Sequence, residues 1–166
     1  MLFRSFSVLK GDSKFALKEI SLNNFDRKAN EVKISEDISR EVNIFKELNH
    51  QNIVKYYTSF EEKDKVCIVM ELVDGSSLGD FISTFADKKQ YLKEKEAWEI
   101  IIQLVSALRY LHNDKKVVHR DIAPSNILID YNMNVKLADF GLAKQWQENK
   151  FSQMKTFVGT IVYCRF

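Results

Sequence analysis

Hydrophobic periodicity changes along this 166-residue chain in a set order, and that order limits the folds open to it. Residues 6–10 and 15–20 are short apolar runs split by Gly11-Asp12-Ser13, the pattern of two strands and a turn. The polar stretch 22–30 predicts a loop. From Ile34 the apolar residues fall at Ile34, Ile38, Val42, Phe45 and Leu48, one face of an amphipathic helix. Glu41 sits beside that face. Residues 53–60 and 66–72 are β-branched and aromatic, and the charged run 61–65 between them predicts a hairpin or meander. Leu78, Phe81 and Ile82 predict a short helix started by Ser76 or Ser77. A longer helix carries Ala97, Ile101, Leu104, Leu108 and Leu111 on one stripe. Three short strands follow at 117–118, 127–129 and 135–138, the last two joined by the polar turn Asn132-Met133-Asn134. Strands with one helix, then helices, then a small hairpin is a segregated order. It predicts an α+β fold with two lobes.

Composition narrows the class. With 45% hydrophobic and 29% charged residues, the chain is neither disordered nor of low complexity, and its length suits one domain. Lys and Arg number 25 against 23 Asp and Glu, so no charge excess argues for nucleic acid or an anionic membrane. No apolar run approaches the roughly 20 residues that span a bilayer. Arg4 and Lys10 interrupt the N-terminal stretch, which argues against a signal peptide. Cys67 and Cys164 cannot build a disulfide framework and fit a reducing compartment. The expectation is a soluble intracellular chain, cytoplasmic or nuclear, with neither nucleic acid nor membrane as partner.

Five polar features stand out against this frame. Lys18 lies inside the apolar strand at 15–20. Glu41 flanks the first helix face. His119-Arg120-Asp121 follows a strand, and Asn126 comes five residues after that aspartate. Asp139-Phe140-Gly141 ends the last strand. Taken singly, each has an ordinary explanation. A lysine can snorkel from an edge strand, a helix glutamate is commonly solvated, and Asp and Asn are common turn formers. The Asp-Phe-Gly triplet is short enough to arise by chance.

Jointly, Lys18, Glu41, HRDIAPSN (119–126) and DFG (139–141) resemble the signature set of the protein kinase superfamily. FALKEI, ELNHQNIVKYY, IVMELVDG, LRYLH and DFGLAKQ make the chain most similar to the NIMA-related kinases, in particular their divergent kinase-ten branch. The resemblance implies an N-lobe over 1–72 and the start of a C-lobe over 73–166. It implies transfer of the γ-phosphate of Mg-ATP to protein hydroxyls, chemistry that rests on positioning and charge neutralisation. Lys18, held by Glu41, would hold the α- and β-phosphates. Asn126 and Asp139 would be the Mg²⁺ ligands, as hard oxygen donors. Asp121 would orient the attacking hydroxyl and accept its proton. Ala16 would roof the adenine and Leu128 floor it, with Met70 as gatekeeper and Glu71 to Val73 as the hinge. Arg120 and Lys144 would form a basic pocket for a phosphorylated Thr156, with Ser152 as a second acceptor supplied by an activating kinase.

Three departures from the pattern shape the expectation. No glycine precedes Gly11, so the chain lacks a glycine-rich loop to close over the phosphates. Position 123 is Ala where most Ser/Thr kinases carry a lysine that would neutralise the transferring phosphate. Tyrosine kinases also place Ala in this region, whereas Gly159-Thr160 resembles the Ser/Thr type, which is favoured. The sequence ends at Cys164-Arg165-Phe166, short of the remaining C-lobe helices. The expectation is a truncated catalytic domain whose helix over 97–111 exposes apolar surface and seeks a partner. The alternative is an inactive, pseudokinase-like fragment that binds nucleotide or protein.

Overall fold

The computed structural model describes residues 3–10, 13–21, 39, 42–141 and 143–145. They fall into two compact units, one drawn from Met1–Leu48 and Lys55–Leu72, the other from Asn49–Val54 and Val73–Phe166.

In the first unit, strand-forming residues build an antiparallel sheet of β1 (Phe3–Lys10), β2 (Ser13–Ser21), β3 (Tyr56–Glu62) and β4 (Lys65–Glu71). The spatial order is β1-β2-β4-β3. β1 pairs with β2 along its whole length, from Phe3 opposite Ile20 to Lys10 opposite Ser13. It therefore starts three residues before the expected position, because β2 supplies backbone partners that far. A helical run at 42–46 (α1) buries Ile44 and Phe45, and Leu48 just beyond it is buried as well. The Phe45 ring meets Tyr56 of β3 edge-on, 5.6 Å between centroids, and so joins the helix to the sheet. Of the earlier part of the helix expected from Ile34 only residue 39 is described, and it is helical; the loop at 22–30 and the turn residues Gly11 and Asp12 lie outside the described residues.

The strand expected at 53–60 requires correction. Ile53 and Val54, each 1% exposed, belong to the second unit, where Ile53 bridges to Leu137 and Val54 N donates to Leu137 O at 3.0 Å. Only from Tyr56 does the chain enter the first sheet. An unbroken apolar pattern cannot reveal this division, because β-branched residues suit either partner strand.

The second unit opens with β5 (Gly75–Ser77) and α2 (Leu78–Asp87). Ser77 caps the helix, its Oγ accepting from Asp80 N at 3.0 Å, which selects it over Ser76. Then come α3 (Glu94–Arg109), a π-helical turn (Tyr110–Asp114), β6 (Val117–Val118) and a 3-10 turn (Pro124–Asn126). β7 (Ile127–Asp130), β8 (Val135–Leu137) and β9 (Lys144–Gln145) complete it. The sheets are β5-β7-β8 and the pair β6-β9, all antiparallel. Ile127, Ile129, Val135 and Leu137 are buried while Leu128 and Lys136 between them are partly exposed, the period-two signature of half-covered strands. β5 and β9 escaped the sequence reading, being too short and polar for any apolar pattern.

The stripe expected on α3 also shifts. On α3 the buried residues are Ile100 and Ala107, whereas of the expected stripe Ala97, Leu104 and Leu108 are half-buried and Ile101 is 45% exposed; Leu111, in the turn that follows, is buried as expected. Ile100-Ile101-Ile102 is apolar in every direction, so periodicity alone cannot choose among the three. Trp98, Ile102 and Val105 are exposed with Ile101, so α3 does carry an open apolar face. Among the described residues, no helix is long and apolar enough to cross a membrane.

Gly75 is a glycine the fold requires. A Cβ there would stand 2.0 Å from Ile129 O and 2.8 Å from Asp130 Cα. The obstacle is backbone on a paired strand, so it cannot rotate away. Gly75→Ala is expected to separate β5 from β7 and destabilise the chain by about 1–3 kcal/mol, the usual cost of overpacking. Urea unfolding checks this, and a wild-type midpoint would refute it.

Candidate active site

In the first unit, β2 alternates. Ala16, Lys18 and Ile20 share one face, with Met70 opposite Ala16, Ile68 opposite Lys18 and Glu71 opposite Phe15. Lys18 is 7% exposed, and its strand lies between β1 and β4. The edge-strand explanation for Lys18 therefore fails. A buried ammonium requires acceptors or a counter-charge around it. Glu41, the partner expected from sequence, lies outside the described residues. Glu71 is tied to the preceding segment: Lys55 N donates to its Oε2 at 3.0 Å, and Glu71 N donates to Lys55 O at 2.8 Å.

In the second unit, β6 leads straight into His119-Arg120-Asp121. His119 is 1% exposed. Its Nε2 lies 3.0 Å from Ala138 O, and since a carbonyl only accepts, Nε2 carries the proton. Nδ1 then accepts from Asp121 N at 3.3 Å, and the ring sits edge-on to Phe140 at 4.9 Å. One imidazole thus ties the loop at 119–121 to the segment at 138–140. Sequence reading placed His119 in the motif without giving it this bridging role; its position directly after a buried strand was the available signal.

Asn126 provides a second tie. Its Nδ2 donates to Asp121 Oδ2 at 2.8 Å and to Asp121 O at 3.0 Å, orienting the carboxylate. Its main chain is fixed on both sides, with Asn126 N donating to Ala123 O at 2.9 Å and Ala138 N to Asn126 O at 2.8 Å. Pro124 opens the intervening turn, where its fixed φ suits the geometry. The Ala138 bond places Asp139 directly beyond Asn126's own backbone partner. Asp121, Asn126 and Asp139 are therefore brought into one network.

Asp139 of this network and Arg120 beside it are backbone outliers: Arg120 has φ 67° and Asp139 φ 59°. Non-glycine residues in the left-handed region cost roughly 1–3 kcal/mol and concentrate at functional sites. Asp139 is helped by its own side chain, whose Oδ1 accepts from Gly141 N at 3.2 Å. Burial holds the Arg120 guanidinium below its ordinary pKa. Lys144 lies opposite Val118, two residues before Arg120, which places both cations in one region of the second unit. Thr156 and Ser152 lie outside the described residues. Leu128 stands opposite Ser77, partly exposed, and Val73 opens the segment that leads into β5.

The donors suit a magnesium ion. Asn126 spends its amide nitrogen on Asp121, which leaves its oxygen as the amide atom able to coordinate, and Asp139 offers a carboxylate. Among the described residues, no group of three or more His, Cys, Asp or Glu is placed to hold a metal ion by itself. Two hard oxygens without a full protein cage fit Mg²⁺, which keeps waters and shares substrate phosphates.

Residues 6–165 match the protein kinase domain family model. The chain is 43% identical over 157 residues to human serine/threonine-protein kinase Nek10, an alignment covering 92% of this chain and 13% of that protein. It is 40% identical over 148 residues to Caenorhabditis elegans serine/threonine-protein kinase D1044.8, covering 89% and 15%. It is 39% identical over 150 residues to the probable serine/threonine-protein kinase nek2 of Dictyostelium discoideum, covering 88% and 34%. The chain thus spans about a third or less of each of these relatives. An α+β chain with this loop and this aspartate-asparagine pair, matched by that family model over nearly its whole length, belongs to the protein kinase family.

Proposed function

We propose that the chain is a serine/threonine kinase domain that uses Mg-ATP to phosphorylate protein hydroxyls inside the cell, in the cytoplasm. The observation that carries this reading is the Asn126 amide holding Asp121 Oδ2 at 2.8 Å, with Asn126 O and Ala138 N joined beside Asp139. Asp121 accepts the proton from the attacking serine or threonine hydroxyl and orients its oxygen. Asn126 and Asp139 hold Mg²⁺, which when bound neutralises phosphate charge. Lys18, paired with Glu41, holds the nucleotide phosphates, and Ala16, Met70, Glu71, Val73 and Leu128 bind its adenine. Arg120 and Lys144 receive phosphate from Thr156 or Ser152. The serine/threonine preference rests on the naming of the relatives.

One observation favours a second reading, a nucleotide-binding module without turnover. Ala123 is 1% exposed, so the position expected to offer a cation to the transferring phosphate holds a buried methyl group. A thermal-shift titration separates presence from absence of the nucleotide site. ATP with Mg²⁺ at about 100 times Kd is expected to stabilise the chain by roughly 2.7 kcal/mol, a rise of roughly 5–10 °C in Tm. No rise would sink both readings. A rise without transfer of label from γ-labelled ATP to Ser/Thr peptides would leave only the second.

A further inference from the structure

Gln103, in the middle of α3, has every hydrogen-bonding position of its side chain in use. Its Oε1 accepts from Asn52 Nδ2 at 3.0 Å and from Val135 N at 2.9 Å. Its Nε2 donates to Met133 O at 2.9 Å and to Glu99 O at 3.2 Å. Asn52, 4% exposed, adds two bonds to β8: its Nδ2 donates to Val135 O at 2.9 Å, and its O accepts from Leu137 N at 2.9 Å. The two amides therefore grip Val135, the first residue of β8, while the Asn52 main chain holds Leu137, its last, on the edge that β7 does not cover.

This grip has a cost the fold retains. Among the described residues, Asn52 Oδ1 is buried with no hydrogen-bond partner, so the side chain is held with its donor end on β8 although its acceptor end is left unsatisfied. Such a cost is informative when the anchored element leads to a functional group. β8 is three residues long and leads through Ala138 directly to Asp139. A short antiparallel pair resists slippage weakly, and a shift of one residue moves the chain about 3.3 Å and reverses its faces. Anchors on the far edge remove that freedom.

We infer that Asn52 and Gln103 are positioning residues for the Asn126–Asp139 ligand pair, fixing the register of β8 so that both oxygens meet one divalent ion. The inference rests on the proposed reading of Asn126 and Asp139 as Mg²⁺ ligands. Neither amide touches the nucleotide or the ion in this scheme; they act through the strand.

The test is isothermal titration of the full chain with ATP, across a series of Mg²⁺ concentrations and in EDTA. Gln103→Met keeps the side-chain length and removes all four bonds. The Mg²⁺ concentration giving half of the metal-dependent gain in ATP affinity is expected to rise about tenfold, while Kd for ATP in EDTA stays within about twofold. A role confined to general stability would weaken binding equally with and without metal, and that result overturns the inference. So does an unchanged Mg²⁺ midpoint. If wild type shows no Mg²⁺ dependence, the ligand reading itself fails and the inference falls with it. Should Gln103→Met not fold, Asn52→Ser, which keeps the main-chain bond to Leu137, carries the same expectation. Loss of folding in both variants overturns the assignment, because the amides then serve the fold rather than the ligand pair.

Discussion

Asp121→Asn is expected to lower phosphoryl transfer by roughly 10²–10⁴-fold, the range associated with loss of a positioned general base. The substitution is nearly isosteric, and much of the loop remains tied. Asn126 Nδ2 keeps its bond to the residue-121 carbonyl, and the new amide can present its oxygen where Asp121 Oδ2 now accepts at 2.8 Å. His119 Nδ1 continues to accept from the main-chain N of residue 121. Geometry is therefore preserved while proton acceptance is lost, so Tm and Kd for Mg-ATP are expected to stay near wild type. Steady-state transfer to a Ser/Thr peptide measures the effect, with a melting curve and an ATP titration alongside. Full activity in a folded variant would mean that another group takes the proton. A parallel loss of activity, ATP affinity and Tm would mean that Asp121 holds the loop together.

The residues of this loop and the class of fold were legible in the sequence for different reasons. HRDIAPSN and DFG are local strings, and the α+β class follows from the order of two periodicities, which needs no knowledge of long-range contacts. Lys18 could be singled out because a lysine among Phe15, Leu17 and Ile20 breaks an apolar strand. What sequence could not supply was pairing at a distance. Ile53 and Val54 read as the start of β3, yet they pair with Leu137, more than 80 residues away. Asn52 and Gln103 each look like ordinary polar residues, and only the fold brings Asn52 Nδ2 within 3.0 Å of Gln103 Oε1. Burial on α3 could not be chosen among three consecutive isoleucines. The π-helical turn at Tyr110–Asp114 was equally hidden, though it sets Tyr110 OH to accept from Asn49 N at 3.0 Å and stacks its ring on His50 at 5.1 Å. Local strings mark where the chemistry lies, whereas the contacts that aim it are spread across the chain.

Asp139→Asn is expected to remove most of the Mg²⁺ dependence of ATP binding. A carboxylate close to a divalent cation contributes on the order of a few kcal/mol at an effective dielectric near 20, so Mg²⁺ affinity should fall on the order of a hundredfold. Asn is a better probe here than Ala. Residue 139 has φ 59° and its Oδ1 accepts from Gly141 N at 3.2 Å. Asn tolerates the left-handed region and keeps an oxygen for that bond, whereas Ala loses both and adds a folding defect to a metal defect. The measurement is ATP affinity in EDTA and in Mg²⁺, read beside Asp121→Asn. The two variants should divide the chemistry: Asp121→Asn keeps the metal-dependent gain and loses transfer, and Asp139→Asn loses the gain and transfer together. Wild-type Mg²⁺ affinity in a folded Asp139→Asn would remove this residue from the ligand set. It would leave the left-handed backbone at 139 without a catalytic reason.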